Sequence, residues 1–225
     1  MSIARRLVVA IDGPAGAGKS TLARTLARAL GYTYVDSGAM YRVVGLAARK
    51  RGIDAADAVA LATLIDGLDF ALRPDPGGQR VLLEGRDVTD ELRTPSAGEW
   101  ASRVAALPEV RTRLVARQRR LGVDGGIVMD GRDIGTVVFP DADCKFFVTA
   151  SAIERARRRA HEIGAPEADL PTIQRDIEAR DRRDSERPHA PLRAAPDAET
   201  VDTTGLTAEE AARRLLERVL ERARP

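Results

Sequence analysis

A short run of consecutive apolar residues at positions 7–11 predicts a β-strand that is covered on both faces. Leucines spaced four residues apart follow over residues 19–30, and this period predicts an amphipathic helix that ends at Gly31. Residues 32–35 predict a second strand. The first 36 residues therefore predict a strand–loop–helix–strand unit, which is the start of a parallel α/β sheet.

Helical periodicity alternates with short strand-like runs along the rest of the chain, so the sequence predicts an α/β fold with a five-stranded parallel core flanked by helices. Further helices are predicted over residues 37–51, 57–68, 95–121 with a break near Pro108, 153–163, 172–185 and 208–224. Further core strands are predicted over residues 127–129, 144–148 and 199–202. Residues 70–73 and 81–83 predict two antiparallel strands around a turn at residues 74–78, which indicates a small inserted subdomain.

The composition is that of an ordinary globular protein. Of 225 residues, 44% are hydrophobic and 31% are charged, which argues against a wholly disordered chain. The 36 basic and 34 acidic residues leave a net charge of only +2, so a dedicated nucleic-acid binder is not expected. The single cysteine, Cys144, excludes an intramolecular disulfide framework. No apolar run approaches the length of about 18 residues that a membrane span needs, and no signal-peptide pattern precedes the first strand, so we expect a cytoplasmic protein.

The glycine-rich stretch between the first strand and the first helix carries the clearest chemical signal. Its sequence, Gly13-Pro14-Ala15-Gly16-Ala17-Gly18-Lys19-Ser20, fits the GxxxxGK[S/T] phosphate-binding pattern in the strand-to-helix position that the pattern requires. The glycines let main-chain N–H groups approach a phosphate, and the helix N-terminus adds a partial positive charge. Lys19 would reach the β- and γ-phosphates, and Ser20 would offer its hydroxyl to Mg²⁺. We therefore expect a nucleoside triphosphate as a ligand.

A phosphate loop leaves three reaction classes open: a small-molecule kinase, a GTPase switch, and an ATPase that works as a motor or on nucleic acid. The chain contains no Asn-Lys-x-Asp motif for reading guanine, and nothing after the second strand resembles a switch with a catalytic glutamine. The near-balanced charge also disfavours coupling to nucleic acid. A small-molecule kinase is the favoured interpretation.

Two polar clusters follow predicted strands, at the edge where open α/β sheets bind ligands. Residues 36–42 carry Ser37 and Arg42, and residues 130–136 carry Arg132 with two aspartates. Either arginine could fork onto a phosphate, and an aspartate of the second cluster could bind a polar donor or help to hold hydrated Mg²⁺. The alternatives are local: a helix capped by Ser37 beside a solvated arginine, and a polar turn.

A third cluster lies in an arginine-rich helical run. Arg180, Asp184 and Arg187 fall on one helix face, which would suit a surface ladder of ion pairs. The arginines upstream, over residues 155–159, could likewise be a solvated face. The other interpretation is a closing segment whose arginines neutralise a phosphoryl group during transfer.

These stretches together resemble the bacterial cytidylate kinases. The resemblance is carried by residues 13–21, by Asp36-Ser37-Gly38 with Tyr41-Arg42, by Asp130-Gly131-Arg132-Asp133-Ile134-Gly135-Thr136-Val137-Val138-Phe139-Pro140, and by residues 180–187. It covers nearly the whole chain in order. It implies phosphoryl transfer from ATP to CMP or dCMP, with Mg²⁺ as the cofactor.

The resemblance also implies a three-part architecture. Residues 1–36, 106–150 and 188–225 would form the P-loop core. Residues 37–105 would form the domain that binds the nucleoside monophosphate, with a β insert at about 70–90. Residues 151–187 would form the lid region and its return helix.

Site residues follow from the same resemblance. ATP would be held by Gly13, Pro14, Ala15, Gly16, Ala17, Gly18, Lys19, Ser20, Thr21 and Arg157. CMP would be held by Ser37, Arg42, Ser102, Arg111, Arg132, Asp133, Arg180, Asp184 and Arg187. Lys19, Arg132, Arg155, Arg158 and Arg187 would be catalytic, and Ser20 would be the protein's ligand to Mg²⁺.

Other activities remain open at this point. A kinase of the same fold could act on UMP, AMP or shikimate, and a nucleotide-binding ATPase module is a further alternative. We expect a monomer whose partners are small nucleotides, without nucleic acid or membrane.

Overall fold

The computed structural model describes residues 6–75 and 78–223, over which strands and helices alternate as an α/β fold. The strands are β1 (Val8–Asp12), β2 (Thr33–Asp36), β3 (Phe70–Asp75), β4 (Gly78–Leu83), β5 (Arg86–Asp87), β6 (Ile127–Asp130), β7 (Cys144–Thr149) and β8 (Glu199–Asp202). The helices are α1 (Lys19–Leu30), α2 (Ser37–Lys50), α3 (Ala58–Gly67), α4 (Pro95–Val104), α5 (Pro108–Leu121), α6 (Ala152–Ile163), α7 (Leu170–Glu186) and α8 (Ala208–Ala223). The predicted last residue of α8, Arg224, lies outside the described residues.

A five-stranded parallel sheet in the order β2-β6-β1-β7-β8 forms the centre of the fold, as predicted. The apolar run of β1 is buried because helices cover both faces of this central strand. Val9 and Ile11 pack with α1 and α8 on one face, whereas Ala10 packs with Met129 and Ile134 on the other. The alternation of side chains along a strand thus distributes β1 between two apolar layers.

A third apolar cluster holds α2, α3, α4 and α5 together beside the antiparallel sheet β3-β4-β5. This sheet is the predicted insert, but its strands run further than expected, through Asp75 and from Gly78. The rest of the predicted turn, residues 76–77, lies outside the described residues. Pro74 is tolerated in β3 because this strand is at the edge of the sheet. The two-residue strand β5 was not predicted, since two residues carry no periodic signal.

The start of α2 is not capped by Ser37, which was the local alternative for this cluster. The N-cap is Asp36, whose carboxylate accepts a hydrogen bond from the Ala39 amide at 3.0 Å. Ser37 instead donates from Oγ to the carbonyl of Asp130 at 2.7 Å. The serine therefore links the ends of two core strands, β2 and β6, rather than capping its own helix.

Residues 134–138 form one π-helical turn that the sequence analysis did not predict. Its sequence, Ile-Gly-Thr-Val-Val, is poor in helix formers, so no local pattern indicates a helix. The buried Asp12 carboxylate accepts hydrogen bonds from the amides of Ile134 at 2.8 Å and Gly135 at 2.7 Å. A contact from β1 therefore fixes the start of this turn. Across residues 6–75 and 78–223, no helix has the length and apolar character to span a membrane.

Candidate active site

A cleft of about 1230 Å³ opens beside the carboxyl ends of β1, β2 and β6. Phosphate-loop residues 15–21 form one end of it, and α2, α4, α5 and α7 contribute to the other. All of the side chains predicted to hold the acceptor line this cleft: Ser37, Arg42, Ser102, Arg111, Arg132, Asp133, Arg180, Asp184 and Arg187. Three sequence clusters that lie far apart along the chain thus meet at one surface.

The phosphate loop joins β1 to α1 and packs against the main chain of β7. Gly13 and Pro14 do not line the cleft. A Cβ at Gly13, whose φ is +146°, would lie 1.9 Å from the Val148 carbonyl oxygen, so this glycine is needed for close packing. Lys19 is buried and donates from Nζ to the Pro14 carbonyl at 2.6 Å. Burial and the nearby Arg132 guanidinium lower the pKa of Lys19, and a phosphate beside this amine would offset both effects.

Asp130 ends β6 next to the phosphate loop and accepts two side-chain hydrogen bonds. Ser20 Oγ donates to it at 2.7 Å, and the Tyr34 hydroxyl donates at 3.1 Å. Burial, followed by the charge of Asp36, raises the pKa of Asp130 to about 6. Burial also raises the pKa of Tyr34. Mg²⁺ beside phosphates is ligated by oxygen atoms. The hydroxyl oxygen of Ser20 and the carboxylate oxygens of Asp130 are ligands of this kind, so the residues present fit that ion.

Guanidinium groups crowd the end of the cleft that is predicted to hold the acceptor. Arg42 is ion-paired with Asp36, and Arg132 donates from Nε to Asp184 at 3.2 Å. Burial and the charge of Arg132 lower the pKa of Arg180 to about 10. These like charges raise each other's energy in a partly buried setting, so the arrangement favours a bound anion.

The far end of the cleft holds a buried ion pair between Arg111 on α5 and Asp133. Only 5% of each residue is exposed. Arg187 NH2 lies 3.8 Å from the other carboxylate oxygen of Asp133. Burial raises the pKa of Asp133, and the Arg111 guanidinium counteracts part of this shift. A carboxylate between two guanidiniums at a cleft wall can accept a hydrogen bond from an amine and discriminates against a carbonyl.

The third sequence cluster is not a surface ladder of ion pairs. Asp184 is only 5% exposed and binds Arg132, while Ser102 on α4 donates to it at 3.4 Å. Arg180 lines the cleft one helical turn before it. The carboxyl-terminal half of α7 therefore presents its charges to the cleft, which favours the second interpretation of this run.

The arginines of α6 do not all face the cleft. Arg158 lines it and donates to the Thr203 hydroxyl at 2.9 Å and the Thr203 carbonyl at 2.7 Å. Arg155 is buried behind the phosphate loop, outside the cleft lining, and donates to the Ala15 carbonyl at 3.1 Å. Arg157 is exposed and does not line the cleft. The predicted contact of Arg157 with ATP therefore stays a prediction that requires movement of α6.

Sequence reasoning missed four residues that hold the site together: Asp12, Tyr34, Asp181 and Thr203. Asp12 could have been found, because it is the polar residue that ends the central strand directly before the phosphate loop. Asp181 and Thr203 carry no local signal, since their contacts with the phosphate loop and α6 are long-range. Asp130 was noted only as one of two aspartates whose roles were not separated.

Several known proteins with similar sequences are described as cytidylate kinases. A family model described as cytidylate kinase matches residues 9–221. A cytidylate kinase from Geobacillus thermodenitrificans is 51% identical over 221 residues, which cover 97% of this chain and 98% of that protein. A cytidylate kinase from Symbiobacterium thermophilum is 48% identical over 215 residues, covering 94% of this chain and 95% of the relative.

The fold has counterparts among solved structures. A gluconokinase from Sinorhizobium meliloti superposes with a TM-score of 0.50 at 15% identity, covering 98% of this chain and 94% of that chain. This likeness concerns the fold alone. The near-full-length sequence matches decide the family: the chain belongs to the cytidylate kinases, which are nucleoside monophosphate kinases.

Proposed function

We propose that the chain transfers the γ-phosphoryl group of ATP to CMP or dCMP and releases ADP with CDP or dCDP. The carrying observation is a single cleft with a phosphate loop at one end and the buried Arg111–Asp133 pair at the other. Membership of the cytidylate kinases supports this substrate pair.

The donor end is assigned to the phosphate loop. Residues 13–21 would bind the triphosphate through main-chain amides, with Lys19 at the β- and γ-phosphates. Ser20 and Asp130 would hold Mg²⁺, which when bound neutralises charge on the phosphates. Arg158 stands at the cleft wall, and Arg155 and Arg157 would join it when α6 moves.

The acceptor end is assigned to the guanidinium cluster. Arg42, Arg132 and Arg187 would hold the phosphate of CMP, while Arg180 and Asp184 would hold the sugar hydroxyls. Ser37 completes this wall of the cleft. The phosphate oxygen of CMP attacks the γ-phosphorus in line, and it needs no strong general base because it is largely ionised at neutral pH.

Base recognition is assigned to Ser102, Arg111 and Asp133. Cytosine carries an amine at position 4, and ionised Asp133 would accept a hydrogen bond from it. Uracil carries a carbonyl at that position, which meets the carboxylate unfavourably. A polar pairing of this kind is worth roughly 1–3 kcal/mol, which corresponds to about 10- to 100-fold discrimination.

One acceptor panel tests the proposal. With ATP and Mg²⁺, a coupled assay of ADP release should give high kcat/KM for CMP or dCMP, about 10- to 100-fold less for UMP, and little for AMP or shikimate. Equal turnover of UMP and CMP at low substrate contradicts the base assignment. Turnover of shikimate or AMP instead of CMP, or DNA-stimulated ATP hydrolysis, contradicts the function.

Two variants test the roles of the two ends of the cleft separately in the same assay. Asp133→Asn should narrow the CMP-to-UMP preference, because its amide no longer repels the uracil carbonyl. Lys19→Ala should lower turnover more than tenfold with every acceptor and leave the preference unchanged. A Lys19→Ala enzyme within tenfold of wild type contradicts the phosphate-loop assignment.

The three-part division into core (1–36, 106–150 and 188–225), acceptor domain (37–105) and lid region (151–187) is part of the proposal. Most of the apolar cluster of α2 to α5 comes from residues 39–105, which supports the acceptor domain, and Val110 and Leu114 of α5 join this cluster from the core segment. The monomeric state and the cytoplasmic location stay predictions from the sequence.

A further inference from the structure

A carboxylate from the lid region lies directly against the phosphate loop. Asp181, on α7, accepts a hydrogen bond from the Ala15 amide at 3.1 Å. Its other oxygen is bound by Arg155 NH1. Arg155 also donates to the carbonyls of Ala15 at 3.1 Å and Ala150 at 3.0 Å, so loop, lid helix and arginine form a closed ring of contacts.

The ring is shielded from solvent. The side chain of Arg155 is 10% exposed and that of Asp181 is 16% exposed, so their interaction is much less screened than that of a surface ion pair. A Cβ on Gly16 would lie 3.1 Å from the Arg155 Cβ and from its carbonyl oxygen. The loop therefore packs on the backbone of α6 itself, and a shift of α6 must change the contacts of the loop.

The carboxylate of Asp181 places a negative charge beside the main-chain amides of the phosphate loop. Amides of the phosphate loop and the N-terminus of α1 favour an anion, and Ala15 is the first loop residue that lines the cleft. The carboxylate of Asp181 therefore competes electrostatically with the triphosphate. It also holds Arg155 in an ion pair, away from the lining of the cleft.

We propose that Asp181 is a positioning residue that keeps Arg155 on the back of the phosphate loop until a triphosphate enters the loop. The phosphates then replace the carboxylate as the partner of Arg155, and the separation of Asp181 from Ala15 couples donor binding to movement of α6 and α7. The identity of the anion as ATP rests on the proposed function, whereas the competition between Asp181 and an anion in the loop does not require CMP.

The test is the variant Asp181→Asn, which keeps the shape of the side chain and removes its charge. Its amide oxygen can still accept from the Ala15 amide, but its NH₂ group faces Arg155 donor to donor. We expect the Kd for Mg·ATP without CMP, measured by titration calorimetry, to fall about fivefold or more. We also expect a higher ratio of two rates, the rate of ADP release without CMP divided by the rate of CDP formation with CMP. The reason is that Arg155 is no longer held by Asp181.

The matched control is Glu178→Gln, an exposed residue of the same helix that loses the same charge. It should leave both readouts at the wild-type value. If Asp181→Asn does not fold, as judged by its melting transition, the smaller Asp181→Ser takes its place. A purely structural role would weaken ATP binding or leave it unchanged, so an unchanged or higher Kd in a folded variant overturns the inference.

Failure of the inference is distinguishable from failure of the proposed function. A wild-type enzyme that phosphorylates CMP while Asp181→Asn binds ATP no more tightly contradicts only the role of Asp181. A wild-type protein that binds ATP but does not phosphorylate CMP contradicts the function, and a lower Kd in Asp181→Asn would still support competition at the loop.

Discussion

Three buried aspartates organise the site at the residue scale. Asp12 accepts main-chain hydrogen bonds at the start of the π-helical turn, Asp130 accepts from Ser20 and Tyr34, and Asp133 is paired with Arg111. Burial raises the pKa of all three, to about 6 for Asp12 and Asp130. Each carboxylate is therefore kept at a cost to stability, which the hydrogen bonds and ion pairs it receives offset in part.

Asp12 gives a pH prediction with a definite sign. Because burial raises its pKa from 3.8 to about 6, the folded protein binds this proton more tightly than the unfolded chain. Its contribution to the free energy of unfolding is full below pH 3.8 and is lost as pH rises through about 6, by at most about 3 kcal/mol. Asp12→Asn removes this titration.

The measurement is urea unfolding of both proteins from pH 4 to pH 8. The stability advantage of wild type over Asp12→Asn should shrink as pH rises and then become constant. The exposed Asp124→Asn removes the same charge from the surface and is the control. A stability difference between wild type and Asp12→Asn that does not change with pH would contradict the buried, titrating role of this carboxylate.

At the scale of elements, the phosphate loop depends on its support by β7. Gly13 packs against the Val148 carbonyl, and that main-chain atom cannot rotate away as a side chain can. The main chain of β7 thus supports the shape of the loop. On the other side of the loop, residues 15–21 line the cleft.

Gly13→Ala should therefore damage both stability and catalysis. The added methyl group would lie 1.9 Å from the Val148 oxygen, so β1 and β7 must separate locally. We expect a loss of about 3 kcal/mol or more in the free energy of unfolding and more than a tenfold loss of ATP turnover. Chemical unfolding measures the free energy of unfolding, and the coupled assay of ADP release measures turnover.

Gly205→Ala is the matched control for that substitution. Gly205 also has a positive φ, +73°, but nothing lies within 4 Å of its would-be Cβ. It should cost only about 1 kcal/mol of backbone strain and leave turnover unchanged. Equal effects of the two substitutions would mean that contact with β7 is not what Gly13 provides.

At the scale of the whole molecule, the described residues form three apolar clusters and a parallel sheet around one charged cleft. The net charge of +2 hides a strong local asymmetry, because arginines from α2, α7 and the loop after β6 converge on the acceptor end. Burial lowers the pKa of Arg180 and of Arg187, and the next largest cause is a neighbouring arginine, Arg132 for the first and Arg111 for the second. Bound phosphate would relieve this repulsion.

Nucleotides should therefore stabilise the folded protein through their phosphates. At about 100 times its Kd, CMP is expected to add about 2.7 kcal/mol to the free energy of unfolding, seen as a rise in Tm. Cytidine at the same concentration lacks the phosphate and should give a much smaller rise. Equal stabilisation by cytidine and CMP would show that the guanidinium cluster does not bind the acceptor phosphate.

Local patterns predicted those features whose causes are local. The bounds of α1 and β8 agree with their predictions because α1 has a regular leucine period and a stop at Gly31, and β8 is a short strand between polar segments. The alternative in which Ser37 caps α2 is not what the fold shows, because Ser37 donates to the carbonyl of Asp130, 93 residues away. The π-helical turn was missed for the same reason, because Asp12 holds it from a distance of 122 residues along the chain.

The α/β class and the phosphate loop could be predicted from neighbouring residues, because periodicity and motif spacing are local properties, and the family could be predicted from the resemblance of its motifs to those of known kinases. The fold was needed to establish which charges are buried and which groups they face. It turned the Arg180–Arg187 run toward the cleft, paired Arg111 with Asp133, and set Asp181 against the phosphate loop 166 residues before it. Burial and long-range pairing fix the energy of a charge, and neither is encoded in the few residues around it.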